Sequence, residues 1–190
     1  MQNSRSKKSE SYYVKPNGAH EDSQMQEFFL SALEDIYWAE KHVTKAIPKM
    51  INAATSPELR RVFEEHLEVT KEQVIKLESV FELMTEKPYG KICEAMEGIT
   101  REAESIIDQT IDGSLTRDVG LIMAAQKIEH YEIATYGTLI RLAIAIGRRD
   151  AAAIFSTILE EEKEADKTLT VAAENSINHE TTLENHLLRG

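Results

Sequence analysis

Residues 121–136 read L-I-M-A-A-Q-K-I-E-H-Y-E-I-A-T-Y. Set on a helix, they present an apolar stripe of Leu121, Ile122, Ala125, Ile128, Ile133 and Tyr136, which continues through Leu139, Ile140 and Ala143. Glu129 and Glu132 fall inside that stripe, where apolar side chains belong. An ionised carboxylate in a packed core costs several kcal/mol unless it is paired, hydrogen-bonded or bound to a metal. The helix therefore predicts a compensating group, and the nature of that group is the functional question.

The periodicity around this stretch is helical throughout. The helix that contains it spans about 115–146, with Gly147 as its stop. A following helix, about 150–176, turns Ile154, Ile158, Leu159, Glu162, Ala165, Leu169 and Ala172 inward, with Asp166 one turn beyond Glu162. Upstream, a helix over about 24–53 carries Phe28, Leu30, Leu33, Ile36, Tyr37, Val43 and Ile47, with Asp22 or Ser23 as cap and Glu40 on its stripe. Pro48 predicts a kink or break there, because an interior proline loses a hydrogen bond and clashes one turn back. Trp38, beside the stripe, is a candidate subunit contact.

Ser56-Pro57 opens the next helix, to about residue 86, whose inward residues are Leu59, Val62, Phe63, His66, Val69, Thr70, Val74, Leu77, Val80 and Phe81. Glu65, Glu68 and Glu72 point aside or to solvent. After Pro88-Tyr89-Gly90, a shorter helix over about 92–110 places Ile92, Met96, Ile99, Ala103, Ile106 and Ile107 on one face, with Glu97 and Glu102 as boundary carboxylates. The fold predicted is all-α: a four-helix bundle of two antiparallel hairpins with a short crossover helix between them. Residues 1–23 and 178–190 read as tails, and 24–177 as one helical domain.

Composition narrows the function classes. The 190-residue chain is 42% hydrophobic and 29% charged, which suits one globular domain. Its formal net charge of −11 argues against nucleic acid or an anionic membrane surface as partner and favours cations. Lys7 and Lys8 add only a faint basic character to the N-terminal tail. The lone Cys93 excludes an intrachain disulfide and suits a reducing cytoplasm; on a helix edge it reads as a packing residue rather than a redox sensor. No secretory signal or uninterrupted bilayer-length apolar run is present. Hydrolase, kinase and dehydrogenase motifs are also missing.

Hairpin geometry brings the inward polar residues together. With a turn near residue 55 and about 1.5 Å of rise per residue, Glu40 lies level with about residue 70, one turn from His66. With a turn near residues 147–148, Glu129 and Glu132 lie level with about residues 163 to 166, beside Glu162 and Asp166. Side by side, the hairpins would place Glu40, His66, Glu129, Glu132, Glu162 and Asp166 in one layer. Five carboxylates and one imidazole repel unless they bind cations or hold protons. Oxygen-rich ligation with one nitrogen suits iron or manganese, one ion or two, with zinc a further candidate. Each residue also has an ordinary explanation: Glu162 sits in an acidic run, Glu129 and Glu132 can pair with lysine or arginine, and an inward histidine can be a hydrogen-bonded core residue.

Five segments carry a resemblance: Asp35-Ile36-Tyr37 with Ala39-Glu40-Lys41, His66-Leu67-Glu68, 93–98 (C-E-A-M-E-G), 124–134 (A-A-Q-K-I-E-H-Y-E-I-A), and Glu160-Glu161-Glu162-Lys163 with Asp166. Together they resemble the YciF-like bacterial stress proteins over about residues 24–177. The resemblance implies a ferritin-like four-helix fold, a cytoplasmic and dimeric protein linked to stress response, and a metal site in the bundle without an established activity. The sequence departs from the wider di-iron pattern, which carries Glu-x-x-His on two helices: none is present here, and Glu129-x-x-Glu132 has the spacing with a carboxylate in place of histidine. Val69 and Thr70 stand where a second ligand is expected. Two functions follow as expectations: a metal protein with ferroxidase or peroxide-related chemistry, in which Tyr37 or Tyr136 assists, or a non-catalytic structural protein whose ferritin-like bundle keeps an empty site.

Overall fold

The structure, a computed structural model, describes the backbone of residues 18–187 and the side chains of residues 24–175. Five helices follow one another: α1 (Gly18–Ala53), α2 (Pro57–Leu83), α3 (Glu94–Gln109), α4 (Leu115–Ala145) and α5 (Arg149–Leu187). Helices α1 and α2 form one hairpin and α4 and α5 the other; α2 faces α5, α1 faces α4, and α3 lies across α1 and α4. This is the ferritin-like bundle with its crossover helix. No helix among the described residues is long and apolar enough to cross a membrane.

Local signals explain the hairpin ends. Ser56 caps α2, accepting from the backbone N–H of Glu58 and Leu59 at 3.2 and 3.4 Å, with Pro57 at the first helical position. The buried Asp118 on α4 accepts from the backbone N–H of Thr55 and Ser56, both at 2.7 Å, and so ties the first turn to the second hairpin. Gly147 takes a φ of 78°, which lets the Arg148 N–H close back on the Ala143 carbonyl at 2.7 Å and end α4. Gly120 lets α3 approach α4: a Cβ there would stand 2.6 Å from Ile106 Cγ2.

An apolar core fills the space between the hairpins on either side of a polar layer. Phe29, Leu33 and Ile36 from α1, Leu77 and Phe81 from α2, Leu121 and Tyr136 from α4, and Phe155 and Ile158 from α5 are all buried. Each such side chain contributes about 1.5–3 kcal/mol by leaving water. Phe155 joins the two hairpins, its ring centroid 6.1 Å from those of both Phe29 and Tyr136.

Several sequence expectations are corrected. Helix α1 already includes Asp22 and Ser23 in its backbone, so neither is its cap. It continues through Pro48 without a break: the proline lies near the C-terminal end, and the burial of Ile47 and Met50 on either side holds the helix. Helix α5 runs to Leu187, beyond the expected end near residue 176. Residues 1–17 and 188–190 of the expected tails lie outside the described residues. Helix α3 starts at Glu94, so Ile92 precedes it and is 58% exposed rather than inward. Phe28 is also exposed, and its neighbour Phe29 takes the core position.

Candidate metal centre

The polar layer sits where the two hairpins face each other. Helix α1 supplies Glu40, α2 supplies His66 and Gln73, α4 supplies Glu129 and Glu132, and α5 supplies Glu162. The four glutamates and Gln73 are at most 1% exposed. They are carried inward by helices whose neighbouring turns are apolar, so the cost of moving them to solvent is the disruption of Tyr136, Phe155 and Ile158 packing.

His66, Glu129, Glu132 and Glu162 each offer one ligand atom, and these four atoms lie within 4.8 Å of one another. His66 Nε2 stands 3.1 Å from Glu129 Oε1 without hydrogen-bond geometry. Glu40 flanks this group: Tyr136 donates its hydroxyl to Glu40 Oε1, leaving Glu40 Oε2 without a partner. Gln73 donates to Glu162 Oε1 and, at 3.2 Å, to Glu161 Oε2. Asp166 lies at the rim with a side chain 24% exposed, accepting from Gln126 and standing 3.3 Å from His130 Nε2. Four of the six sequence candidates are thus gathered, Glu40 stands beside them, and Asp166 is turned toward the surface side of α4.

The electrostatics of the layer follow from burial and crowding. Desolvation pushes the carboxyls of Glu40, Glu129 and Glu132 well above the ordinary range, and the neighbouring carboxylates push them further. Burial raises Glu162 as well, but the adjacent Glu129 carboxyl and the hydrogen bond from Gln73 hold it to about 7. Desolvation lowers His66 to about 4. Tyr136 is raised well above the usual phenol range by burial and the adjacent carboxylates, so it stays a hydrogen-bond donor.

Buried polar atoms without partners are the decisive feature. Glu40 Oε2, His66 Nε2, Gln73 Oε1, Glu129 Oε2, Glu132 Oε1 and Glu162 Oε2 all lack a hydrogen-bond partner. Such groups cost about 1–3 kcal/mol each when nothing satisfies them, and more when charged. Six in one layer, five of them carboxylate or imidazole atoms, fit a bound cation: oxygen donors dominate and one neutral nitrogen completes the set.

Gln73 is the residue that sequence reasoning missed. It takes the inward position expected of Val74, while Val69 is half-buried and the Thr70 hydroxyl donates to the His66 carbonyl at 2.9 Å. The inward spacing of three residues from Thr70 was the available signal. Phe155 was likewise missed on α5. Cys93 caps α3, its buried thiol 3.0 Å from the Tyr131 hydroxyl, which in turn donates to Asp35 at 2.9 Å. Burial raises that thiol, in keeping with a packing role. Trp38 stacks on His42 with ring centroids 4.5 Å apart.

The comparisons with known proteins agree with this architecture. The family model described as a domain of unknown function, DUF892, matches residues 24–182. The chain belongs to this family. It is 41% identical to protein YciF of Escherichia coli K12 over 155 residues, which covers 81% of this chain and 93% of that protein. The crystal structure of the E. coli stress protein YciF superposes with a TM-score of 0.77, covering 81% of this chain and 97% of that one. YcfI from Rhodopseudomonas palustris gives a TM-score of 0.74 at 40% identity, over 77% and 92% of the two chains. A protein from Xanthomonas campestris gives 0.63 at 25% identity, over 85% and 99%. The chain is therefore a homologue of the stress protein YciF, with a His-Glu cluster able to hold a metal.

Proposed function

We propose that this chain is a metal-binding stress protein that holds one or two iron or manganese ions in the layer between its hairpins. The observation that carries the reading is the set of unpaired buried carboxylate and imidazole atoms facing one another from three helices, with Glu40 from a fourth. His66, Glu129, Glu132 and Glu162 would be the ligands, and Glu40 the neighbour that joins them. Such a metal would supply one-electron chemistry toward oxygen or peroxide.

The chain's own residues supply placement and charge. Tyr136 fixes one oxygen of Glu40, so the other points into the layer. Gln73 does the same for Glu162. Four carboxylates give the layer a large negative charge when ionised, which a divalent ion offsets and an apolar core cannot. The lone Cys93 suits the reducing cytoplasm, and we expect a homodimer by light scattering.

Elemental analysis by plasma mass spectrometry, on tag-free protein from metal-supplemented growth, tests the reading. About one to two equivalents of iron or manganese per chain are expected, the upper figure being that of a dinuclear site. Glu129→Ala should abolish them while circular dichroism keeps the helical signal. Metal-free protein that stays metal-free after anaerobic reconstitution with ferrous iron would leave the bundle a non-catalytic scaffold, its carboxyls held as acids.

A further inference from the structure

A pocket of about 270 Å³ opens between α2, α4 and α5 and ends against His66 and Glu129. Val62, Phe63, Val69, Ala125, Ala165 and Leu169 make its walls. Its remaining lining is Thr168 and the acidic Glu65, Glu161 and Glu164; no lysine or arginine lines it among the described residues. An apolar cavity of about 150 Å³ is enough to admit benzene, so this space takes a ring or a short alkyl chain with a polar group attached.

We infer that this pocket binds a small uncharged organic molecule with an apolar body and one polar group, seated against the His66–Glu129 edge of the cluster. The walls supply the apolar contact. The mouth carboxylates Glu65, Glu161 and Glu164 are paired with Arg61, Lys76 and Lys167, so those cations are already engaged. Anions are disfavoured because no lysine or arginine among the described residues lines the pocket and its inner end is the Glu129 carboxyl, against which a like charge would enter without a partner. The pocket also explains the asymmetry of the layer: the Glu40 side is closed by Tyr136 and Phe155, whereas the His66 side is reached from the surface. The inference deepens the metal reading by naming the class of molecule that would meet the cluster, but binding itself needs no metal.

The test therefore uses the full-length protein without added metal and reads binding by saturation-transfer NMR and calorimetry, with benzyl alcohol, toluene and benzoate as probes of one ring size. Benzyl alcohol is expected to bind saturably, toluene somewhat more weakly, and benzoate at least about tenfold more weakly than the alcohol. Ala165→Phe, which fills the pocket from α5, should lower benzyl alcohol affinity by about tenfold or more with an unchanged melting temperature. Should that variant misfold, Val69→Phe fills the same space from α2. Benzoate binding as tightly as the alcohol, a folded filled variant that binds normally, or no saturable binding of any probe overturns the inference. Failure to find metal with probe binding intact removes only the metal reading.

Discussion

Tyr136, on α4, donates its hydroxyl to Glu40, on the facing helix α1 of the other hairpin, and both side chains are entirely buried. The pair is the only side-chain hydrogen bond reaching Glu40 among the described residues, so Tyr136→Phe leaves a buried carboxyl with neither oxygen satisfied. Chemical denaturation of the metal-free protein should show a loss of about 1–3 kcal/mol. An unchanged midpoint would mean that the hydroxyl contributes nothing to holding Glu40.

Gln73→Leu tests the neighbour that orients Glu162. It removes the donor while keeping the volume, and residues that orient ligands typically cost about 10–100-fold in metal affinity when replaced. Competition with a coloured chelator reads that loss. Retained affinity would show that Glu162 needs no help from α2.

Stability should fall as pH rises in the metal-free protein. Acid groups whose folded pKa is raised contribute stability below their unfolded value of about 4.5 and lose it as pH climbs through the folded value, which for Glu162 is about 7. Glu40, Glu129 and Glu132 act in the same direction. His66 opposes them: lowered from 6.5 to about 4, it contributes stability above 6.5 that is lost as pH falls through about 4. Four carboxyls outweigh one imidazole, so melting temperature should drop between about pH 5 and pH 7, and bound metal should reverse that slope because its ligands must be deprotonated. A metal-free protein that gains stability over this range would contradict the burial of the carboxyls.

Asp118→Ala separates folding from metal binding. It strands the Thr55 and Ser56 N–H groups at the first turn and should cost about 1–3 kcal/mol for each donor left buried without a partner. Metal stoichiometry should not change. A parallel loss of metal would show that the turn and the cluster are coupled.

Much of this architecture is legible in the sequence because its signals are local. Ser56-Pro57 and Gly147 mark helix ends by cap chemistry alone, and the intrusion of Glu129 and Glu132 on an apolar stripe needs no tertiary knowledge. The second hairpin's register is also recovered, since ligand atoms of Glu129 and Glu162 lie within 4.8 Å of each other. The first hairpin is less exact: Tyr37 reaches Glu78 at 2.8 Å, which places its mirror point near Pro57–Glu58 and sets Glu40 level with about residue 75, close to Gln73 rather than His66. Moving the turn's centre by about two or three residues shifts the opposite level by about five, enough to exchange one inward polar partner for another. Phe155 and Asp166 depend on helix rotation, which periodicity leaves uncertain by a neighbouring position.

The charged layer has a further consequence, for alignment rather than chemistry. Above and below it the hairpins meet through leucines, isoleucines and phenylalanines that would tolerate sliding by one helical turn. Such a slip would drive Glu129, Glu132 and Glu162 against Ile36, Val43 or Leu77, which offer no partner. The layer thus acts as a latch that sets the axial register of one hairpin on the other, at a cost in stability that an all-leucine layer would not carry.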